Sequence, residues 1–332
     1  MVFELTFARF ALTIGDEAKQ KKEHGMRSPN SLAALCVHAL AESIDARTMI
    51  AIANELIPNY DVYARTGFRQ SMVIPSRDMA QQIVSDIVAQ DRMLDLISAL
   101  ITIQESGHMG RTYSIPRLRT LVQELFEQGY IYDTENGVFV ENPQVRKSRN
   151  WGTLTPGREY TMAFLRLDIV KNSQLVRSNS DSVIRKAYAQ LRDLVVNATE
   201  KRNGRVWQWE GDGGLCAFFI ADKHQRAALA ALEIIHELDI YNKVACSLST
   251  PLKVRIAVHG GPCEYSDNME TVTKNETLKR LREMEEDHTQ PQTVTISSVV
   301  KVMLDDIVSE EFLPLNHSSE GKYYNYALKW EQ

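Results

Sequence analysis

Two short apolar segments in the second half of the chain read as strands. Residues 162–167 and 215–220 are rich in aromatic and aliphatic side chains, and each segment is too short to form a buried helix. Between them, apolar residues recur at helical spacing over positions 183–195. The pattern therefore predicts two core strands and one helix of about 25 residues that packs against them.

Each of the two predicted strands adjoins an aspartate. Asp168 follows the first, and Asp212 lies in the turn Gly-Asp-Gly-Gly just before the second. Residues 204–210 form another strand pattern, so the glycine-rich turn predicts a hairpin, and its glycines are expected to let the backbone approach a ligand. If the first strand pairs beside this hairpin, the two carboxylates converge and repel unless a cation lies between them. Two oxygen ligands completed by water and phosphate suit Mg²⁺ or Mn²⁺.

The rest of the second half alternates between helix and strand patterns. A helix is predicted over roughly residues 223–238, and the following strand ends at His259, which we interpret as a structural hydrogen-bonding residue because no Cys or His lies at ligand spacing. A strand, a helix and an edge strand follow to residue 330. Residues 157–332 are therefore expected to form an α+β domain with a largely antiparallel sheet covered by helices.

The first half reads as mostly α-helical. Ser28 starts one helix, a long periodic stretch runs from Ser76 to Ile101, and a helix before a hairpin at residues 136–137 is similar to a winged-helix end. We predict a regulatory or interaction domain over residues 1–150, with the boundary in the polar segment 146–156. The alternative is a DNA-binding regulator, for which the candidate cations are Arg111, Arg117 and Arg119.

Composition narrows the classes of function. The chain has 332 residues, 44% of them hydrophobic and 24% charged, which suits two globular domains. The net charge of −5 offers no overall attraction to nucleic acid or anionic lipid. We see no signal peptide and no apolar run near the ~18 residues that a membrane span requires. The four cysteines lack CxxC spacing, so we expect reduced thiols in a cytoplasmic protein. From the net charge and the hydropathy we expect no membrane or nucleic-acid partner.

The order of these motifs resembles a known family. Strand-Asp-Ile-Val, a helix, and then aromatic strand-Gly-Asp-Gly-strand is similar to the catalytic core of the class III nucleotidyl cyclases, from about Tyr160 onward. The resemblance implies a class III cyclase-type sheet and two Mg²⁺ or Mn²⁺ ions per site, held by Asp168, Asp212 and the carbonyl of Ile169. It also implies that the loop with Lys171, Asn172 and Ser173 wraps the triphosphate, as N–H groups at a helix entry favour phosphate.

The base-reading position departs from the purine cyclases. Four residues before the second metal aspartate, adenylate cyclases usually carry lysine and guanylate cyclases glutamate, whereas this chain has Gln208. A glutamine can donate to or accept from a base edge, and the neighbouring Trp209 offers a stacking face. This departure resembles the Pycsar pyrimidine cyclases of bacterial antiphage defence, which implies UTP or CTP as substrate. An adenylate or guanylate cyclase with an atypical pocket, or an inactive nucleotide-binding protein, are the alternatives.

The family's Asn-x-x-x-Arg helix is matched imperfectly. Asn275 is followed four residues later by Lys279, whereas Arg280 lies in register with the family's arginine and has Glu276 in the place of the asparagine. We favour Arg280 for stabilising transition-state charge, because a guanidinium binds two phosphoryl oxygens, and Asn275 as its companion. In the family these two side chains come from the partner chain, which implies a homodimer with composite active sites.

Overall fold

The structure of the protein is a computed structural model that describes residues 29–145, 147–315 and 323–328. The chain divides into two compact units, Met1–Arg146 and Lys147–Gln332. The predicted helix start at Ser28 and the end of the predicted edge strand at residues 329–330 lie outside the described ranges. Across those ranges, every helix is too short or too polar to span a lipid bilayer.

The first unit is mostly helical and ends in a two-stranded hairpin. Its described elements are α1 (Pro29–Ser43), α2 (Ala46–Leu56), α3 (Val62–Thr66), α4 (Ser76–Ala89), α5 (Met93–Ser106), α6 (Leu118–Glu127), β1 (Tyr130–Asp133) and β2 (Val138–Glu141). The strands pair antiparallel, and Gly137 adopts the left-handed conformation in the turn, with φ of +66°. Arg111 forms an ion pair with Asp45, and the Nη1–Oδ2 distance is 3.3 Å. The aspartate offsets the positive charge of one of the three arginines on which the DNA-binding alternative depends.

The periodic stretch from Ser76 to Ile101 is not one helix. It divides into α4 and α5, and Asp91 between them has a left-handed φ of +56°. Apolar residues of both helices are buried in one core, which includes Met79, Ile83, Ile87, Ile97 and Ile101. Because both helices turn an apolar side to the same core, the periodicity continues across the break and conceals it.

The second unit alternates helices and strands. Its described elements are β3 (Glu159–Ile169), α7 (Asn172–Ser178), α8 (Asp181–Glu200), β4 (Arg205–Glu210), β5 (Gly213–Phe218), α9 (Lys223–Val244), β6 (Val254–Glu264), α10 (Met269–Val272), α11 (Glu276–Glu283), a π-helical turn (Met284–His288), β7 (Thr293–Ser297), α12 (Ser298–Lys301), α13 (Asp306–Glu310), β8 (Leu313–Pro314) and β9 (Tyr323–Ala327). The predicted 25-residue helix is the pair α7 and α8, and the helix expected to end near residue 238 extends to Val244.

The strands of the second unit form one seven-stranded sheet in the order β4-β5-β3-β6-β7-β9-β8. Neighbouring strands are antiparallel except β6 and β7, which run parallel. The fold class predicted from the sequence is thereby confirmed: an α+β unit with a mostly antiparallel sheet and covering helices, preceded by a helical region.

The pleat of β3 sorts its residues between two different environments. Ala163, Leu165, Leu167 and Ile169 are buried in a core shared with α8 and α9. Since successive side chains of a strand point to opposite faces, the intervening Phe164, Arg166 and Asp168 lie on the other face. The apolar packing of β3 against two helices therefore decides which way Asp168 points.

The segment that we predicted to be a linker packs on this second face. Trp151 is completely buried, and its indole N–H donates to the carbonyl of Asn203 at 2.7 Å. The Arg205 Nε–H donates to the carbonyl of Ser148 at 2.8 Å, and its guanidinium lies over the Trp151 ring. Residues 147–157 are therefore a packed part of the second unit, although their composition is typical of a solvated connection.

His259 lies in the middle of β6 rather than at a strand end. It is 5% exposed, and its Nδ1 is 2.8 Å from the hydroxyl of Ser297 at the end of β7. Burial, followed by the charges of Arg280 and His224, lowers the pKa of His259 to about 4. The histidine is therefore a neutral structural link between two strands.

This link predicts a dependence of stability on pH. Between pH 6.5 and about 4 the unfolded chain binds a proton at His259 that the folded chain does not, so the free energy of unfolding falls as the pH falls. The expected loss from this residue between pH 7 and pH 5 is about 2 kcal/mol. Urea denaturation at both pH values should show a smaller loss for His259→Gln than for the wild type. Equal losses would contradict a neutral buried imidazole.

Candidate active site

Asp168 is the penultimate residue of β3 and is flanked by residues of both neighbouring strands. It is paired with Gly213 of β5 on one side and with Arg255 of β6 on the other. Its Oδ2 accepts a hydrogen bond from Nη2 of Arg255 at 2.9 Å. Its Oδ1 faces Gly213, since a Cβ added to that glycine would lie 3.3 Å from this oxygen. The two oxygens are thus directed apart, and Oδ1 faces the residue next to Asp212.

Asp212 is held at the same edge of the sheet by the turn between β4 and β5. Its carbonyl accepts from the Ile169 N–H at 3.1 Å, and its carboxylate accepts from the amide of Asn172. Asn172 accepts in turn from the hydroxyl of Tyr188. Burial raises the pKa of Tyr188, and the charges of Asp212 and then Asp168 raise it further. Both carboxylates therefore lie close enough to Tyr188 for their charges to raise the pKa of the same hydroxyl.

The glycines of this turn serve the packing of the protein itself. A Cβ on Gly213 would lie 2.6 Å from the carbonyl oxygen of Leu167, and one on Gly214 would lie 2.6 Å from the Trp209 ring. Gly211 adopts a left-handed φ of +54° in the turn. We expected these glycines to leave room for a ligand. In the structure, the space beside Gly213 is occupied by β3 and the space beside Gly214 by the indole of Trp209.

The predicted phosphate loop is shorter than expected. Lys171 has a left-handed φ of +56°, and Asn172 and Ser173 already belong to the first turn of α7. Lys171 and Ser173 are exposed. Asn172 is half-buried, and its amide is occupied by Asp212 and Tyr188. Asn172 therefore orients a carboxylate, a role that the sequence did not indicate.

Gln208 and Trp209 do not lie together. The register of β4 shifts at Trp207, which packs edge-on against Phe164 with ring centroids 5.6 Å apart. Trp209 instead packs against the helix-covered core, on the opposite face of the sheet from Phe164. The Gln208 amide donates to the exposed Glu210. Trp209 is thus a packing residue in this structure. Gln208 is half-buried, and the Trp209 indole lies on the other face of the sheet, where it cannot stack on a base that Gln208 contacts.

Asn275 and Arg280 occupy different positions on α11. The Asn275 side chain caps the helix by accepting from the Thr277 N–H at 2.9 Å. Arg280 is exposed and lies close enough to His259 for its charge to affect the histidine pKa. His259 pairs with Phe164, four residues and about 13 Å along β3 from Asp168. Within one chain, the guanidinium paired with Asp168 is therefore that of Arg255 and not that of Arg280.

A cluster of charged side chains beside Asp168 was missed by the sequence reasoning. Glu285, in the π-helical turn, is 1% exposed and contacts Nε of Arg255 at 2.9 Å and Nε of Arg166 at 3.4 Å. Burial raises the pKa of Glu285, which the charge of Arg255 opposes. Alternation along β3 and β6 could have placed both arginines on the face of Asp168. Glu285 lies in the run MEEDH, which reads as a solvated charged helix.

The ligand set at this edge fits a hard divalent cation. In the described ranges, no group of three or more His, Cys, Asp or Glu side chains is arranged to hold a metal ion. The candidate donors are the carboxylates of Asp168 and Asp212 and the backbone carbonyl of Ile169, all oxygen. Mg²⁺ is typically bound by one or two carboxylates and retains several waters or substrate phosphates, so two carboxylates suffice.

A scan against protein-family models and a search of curated proteins gave no match. Solved structures that resemble this chain include a double mutant of the guanylyl cyclase domain of the RhoGC fusion protein from the fungus Blastocladiella emersonii, at 16% identity and a TM-score of 0.45, covering 53% of this chain and 100% of that one. Another is the guanylate cyclase domain of RhGC from Catenaria anguillulae in complex with GTP, at 18% and 0.41, covering 51% and 96%.

A third is an adenylate/guanylate cyclase/hydrolase from Silicibacter pomeroyi, at 21% identity and a TM-score of 0.43, covering 52% of this chain and 99% of that one. These three structures are described as guanylyl, guanylate and adenylate/guanylate cyclases. With identities below 25% and TM-scores below 0.5, these likenesses carry no argument about activity or substrate.

The chain of hydrogen bonds behind Asp212 predicts an energetic coupling. We expect Asn172→Ala to lower the free energy of unfolding by about 1–2 kcal/mol and Tyr188→Phe by about 1 kcal/mol, because the first removes two side-chain hydrogen bonds and the second removes one. Since the two side chains are bonded to each other, the double variant should deviate from additivity by at least about 0.5 kcal/mol in metal-free urea denaturation. Tyr188→Phe with Asn197→Ala, an exposed site on α8, is the additive control. Additivity in both pairs would contradict the chain.

Proposed function

We propose that this protein is a nucleotidyl cyclase, which converts a nucleoside triphosphate into its 3′,5′-cyclic nucleotide and pyrophosphate. One observation carries the proposal: Asp168 and Asp212, which are 44 positions apart in the sequence, lie at one edge of a mostly antiparallel sheet, with one oxygen of Asp168 directed at the turn of Asp212. The motif order that resembles class III cyclases supports the same reaction.

Each group at the site has a defined part in this reaction. Asp168, Asp212 and the carbonyl of Ile169 would hold divalent metal ions, which when bound acidify the ribose 3′-hydroxyl and neutralise the departing pyrophosphate. The 3′-oxygen attacks the α-phosphorus, the bond from that phosphorus to the bridging oxygen breaks, and the hydroxyl proton leaves to solvent. Asn172 keeps Asp212 oriented throughout, and Lys171 and Ser173 contact phosphate oxygens.

For the base we propose a pyrimidine, with UTP ahead of CTP. Gln208 stands where purine cyclases carry lysine or glutamate, and its amide nitrogen is already engaged by Glu210. The remaining carbonyl oxygen is an acceptor that suits the N3–H of uracil or the 4-amino group of cytosine. The resemblance to Pycsar cyclases supports this choice and extends the proposal to second-messenger synthesis in antiphage defence.

We further propose that the active unit is a homodimer with composite sites. In one chain Arg280 is exposed and its charge acts on His259, whereas Asp168 is paired with Arg255. A guanidinium that stabilises the reacting phosphate must reach the phosphate held beside the two carboxylates, and in the resembling family this arginine comes from the second chain. Asn275, whose oxygen caps its own helix, contributes less directly.

Incubation of the full chain with an equimolar mixture of the four ribonucleoside triphosphates and Mn²⁺ tests the activity and the base together. We expect cyclic UMP, with cyclic CMP as the lesser product, and an equal amount of pyrophosphate. Asp212→Ala should lower the rate at least about 100-fold, since replacing even outer-shell groups of metal sites costs about 10- to 100-fold.

The matched control is Asp193→Ala, which removes an exposed aspartate of α8 and should keep the full rate. Cyclic AMP or cyclic GMP as the main product would contradict the pyrimidine assignment alone. No cyclic product from any triphosphate, or an active Asp212→Ala, would contradict the cyclase.

Mixing two inactive variants tests the composite site. Asp212→Ala and Arg280→Ala chains that exchange freely form heterodimers in about half of the dimers, and each heterodimer has one intact site. We therefore expect about one quarter of the wild-type rate. A mixture of Asp212→Ala with Asp168→Ala should stay inactive, because both changes affect the same half of the site. An inactive first mixture that contains heterodimers would contradict Arg280 acting from the partner chain.

A further inference from the structure

Arg255 lies between two carboxylates of different kinds. Its Nη2 donates to Oδ2 of Asp168 at 2.9 Å, and its Nε lies 2.9 Å from Oε1 of Glu285. The side chain of Asp168 is 26% exposed and that of Glu285 only 1%. One guanidinium therefore joins a carboxylate at the candidate metal site to another that is sealed in the protein.

Glu285 restrains Arg255 by charge, since the 2.9 Å contact between Arg255 Nε and Glu285 Oε1 is an ion pair without hydrogen-bond geometry. A buried carboxylate is costly unless it is paired, and breaking such a pair leaves an uncompensated charge. Glu285 is paired on both oxygens, with Arg255 from β6 and Arg166 from β3. If Arg255 rotated away, Oε1 of Glu285 would lose its cation and only Arg166 would remain paired with the carboxylate, so the ion pair favours the orientation in which Nη2 is directed at Asp168.

The contact with Arg255 leaves Asp168 with one oxygen for a ligand. Oδ2 is occupied by the guanidinium, whereas Oδ1 faces Gly213, the residue after Asp212. Without the guanidinium, rotation about the last side-chain bond would exchange the two oxygens freely. The contact therefore selects the orientation in which Oδ1 can share a cation with Asp212.

The positive charge of Arg255 weakens metal binding at the site, whereas the orientation that Arg255 gives to Asp168 strengthens it. A cation beside the site repels a metal ion, so its removal by itself would tighten metal binding. Asp168, Asp212 and Glu285 carry three negative charges against two positive charges on Arg166 and Arg255, so the group keeps one net negative charge. Partners that orient a metal-bound carboxylate contribute about 10- to 100-fold to affinity, which we expect to exceed the repulsion.

We infer that Arg255 is a positioning residue for Asp168, held in place by Glu285, and that this pair sets the affinity of the site for a divalent cation before any nucleotide binds. The inference rests on the proposed function, since that proposal makes Asp168 a metal ligand. It concerns metal binding by the free protein, so it can be examined separately from turnover.

Binding of Mn²⁺ to the full chain without nucleotide, followed by the electron paramagnetic resonance signal of free Mn²⁺, is the experiment. We expect Arg255→Gln to weaken binding about 10- to 100-fold. Arg255→Lys, which keeps the charge and one donor, should recover part of that loss. Glu285→Gln should weaken binding less than Arg255→Gln. Arg282→Gln, which removes an exposed arginine paired with Glu286, should bind Mn²⁺ as the wild type does.

Circular dichroism establishes that each variant is folded, and if Arg255→Gln is not, Arg255→Lys decides by the same measurement. Equal or tighter Mn²⁺ binding by the folded Arg255 variants would overturn the inference, because Arg255 would then be a competing cation only. If the wild type cyclises nucleotides but the Arg255 variants bind Mn²⁺ as the wild type does, the inference is refuted and the proposed function stands. A wild type that cyclises none of them, but whose Mn²⁺ affinity depends on Arg255, refutes the proposed function and upholds the inference.

Discussion

The site depends on the pairing of β3 with a strand on each side of it. β5 brings Gly213 beside Asp168, and β6 brings Arg255. A shift of one residue in this register would turn Asp168 into the helix-covered core and the apolar residues out of it. Burial of Leu165 and Leu167 under α8 and α9 therefore holds the register, and with it the direction of a charged side chain.

The two carboxylates are stabilised by unlike partners. Asp168 is bonded to a charged guanidinium, and Asp212 to a neutral amide that is itself bonded to Tyr188. Two adjacent carboxylates repel each other, so a site assembled in advance of its cation requires such compensation. The guanidinium offsets charge, whereas the amide chain supplies direction at little electrostatic cost to an incoming cation.

The face of the sheet opposite α8 and α9 carries an aromatic cluster, α11 and the charged site. At one end of this face, Trp151 of the segment 147–157 packs against Trp207 and Phe219. The register shift in β4 occurs at Trp207, directly before Gln208. Packing of this segment is thereby connected to the strand that carries the proposed base-reading residue, and the second unit begins at Lys147, before its first strand.

Local patterns in the sequence determined the strands around Asp168, the glycine turn of Asp212 and the α+β class, because period-two alternation and turn chemistry act within a few residues. They could not show the break at Asp91, since both helices face one core. Nor could they show that Asn172 bonds to Asp212, or that Glu285 joins Arg166 to Arg255. Those partners lie 30 to 119 positions apart, and only the folded chain brings them into contact.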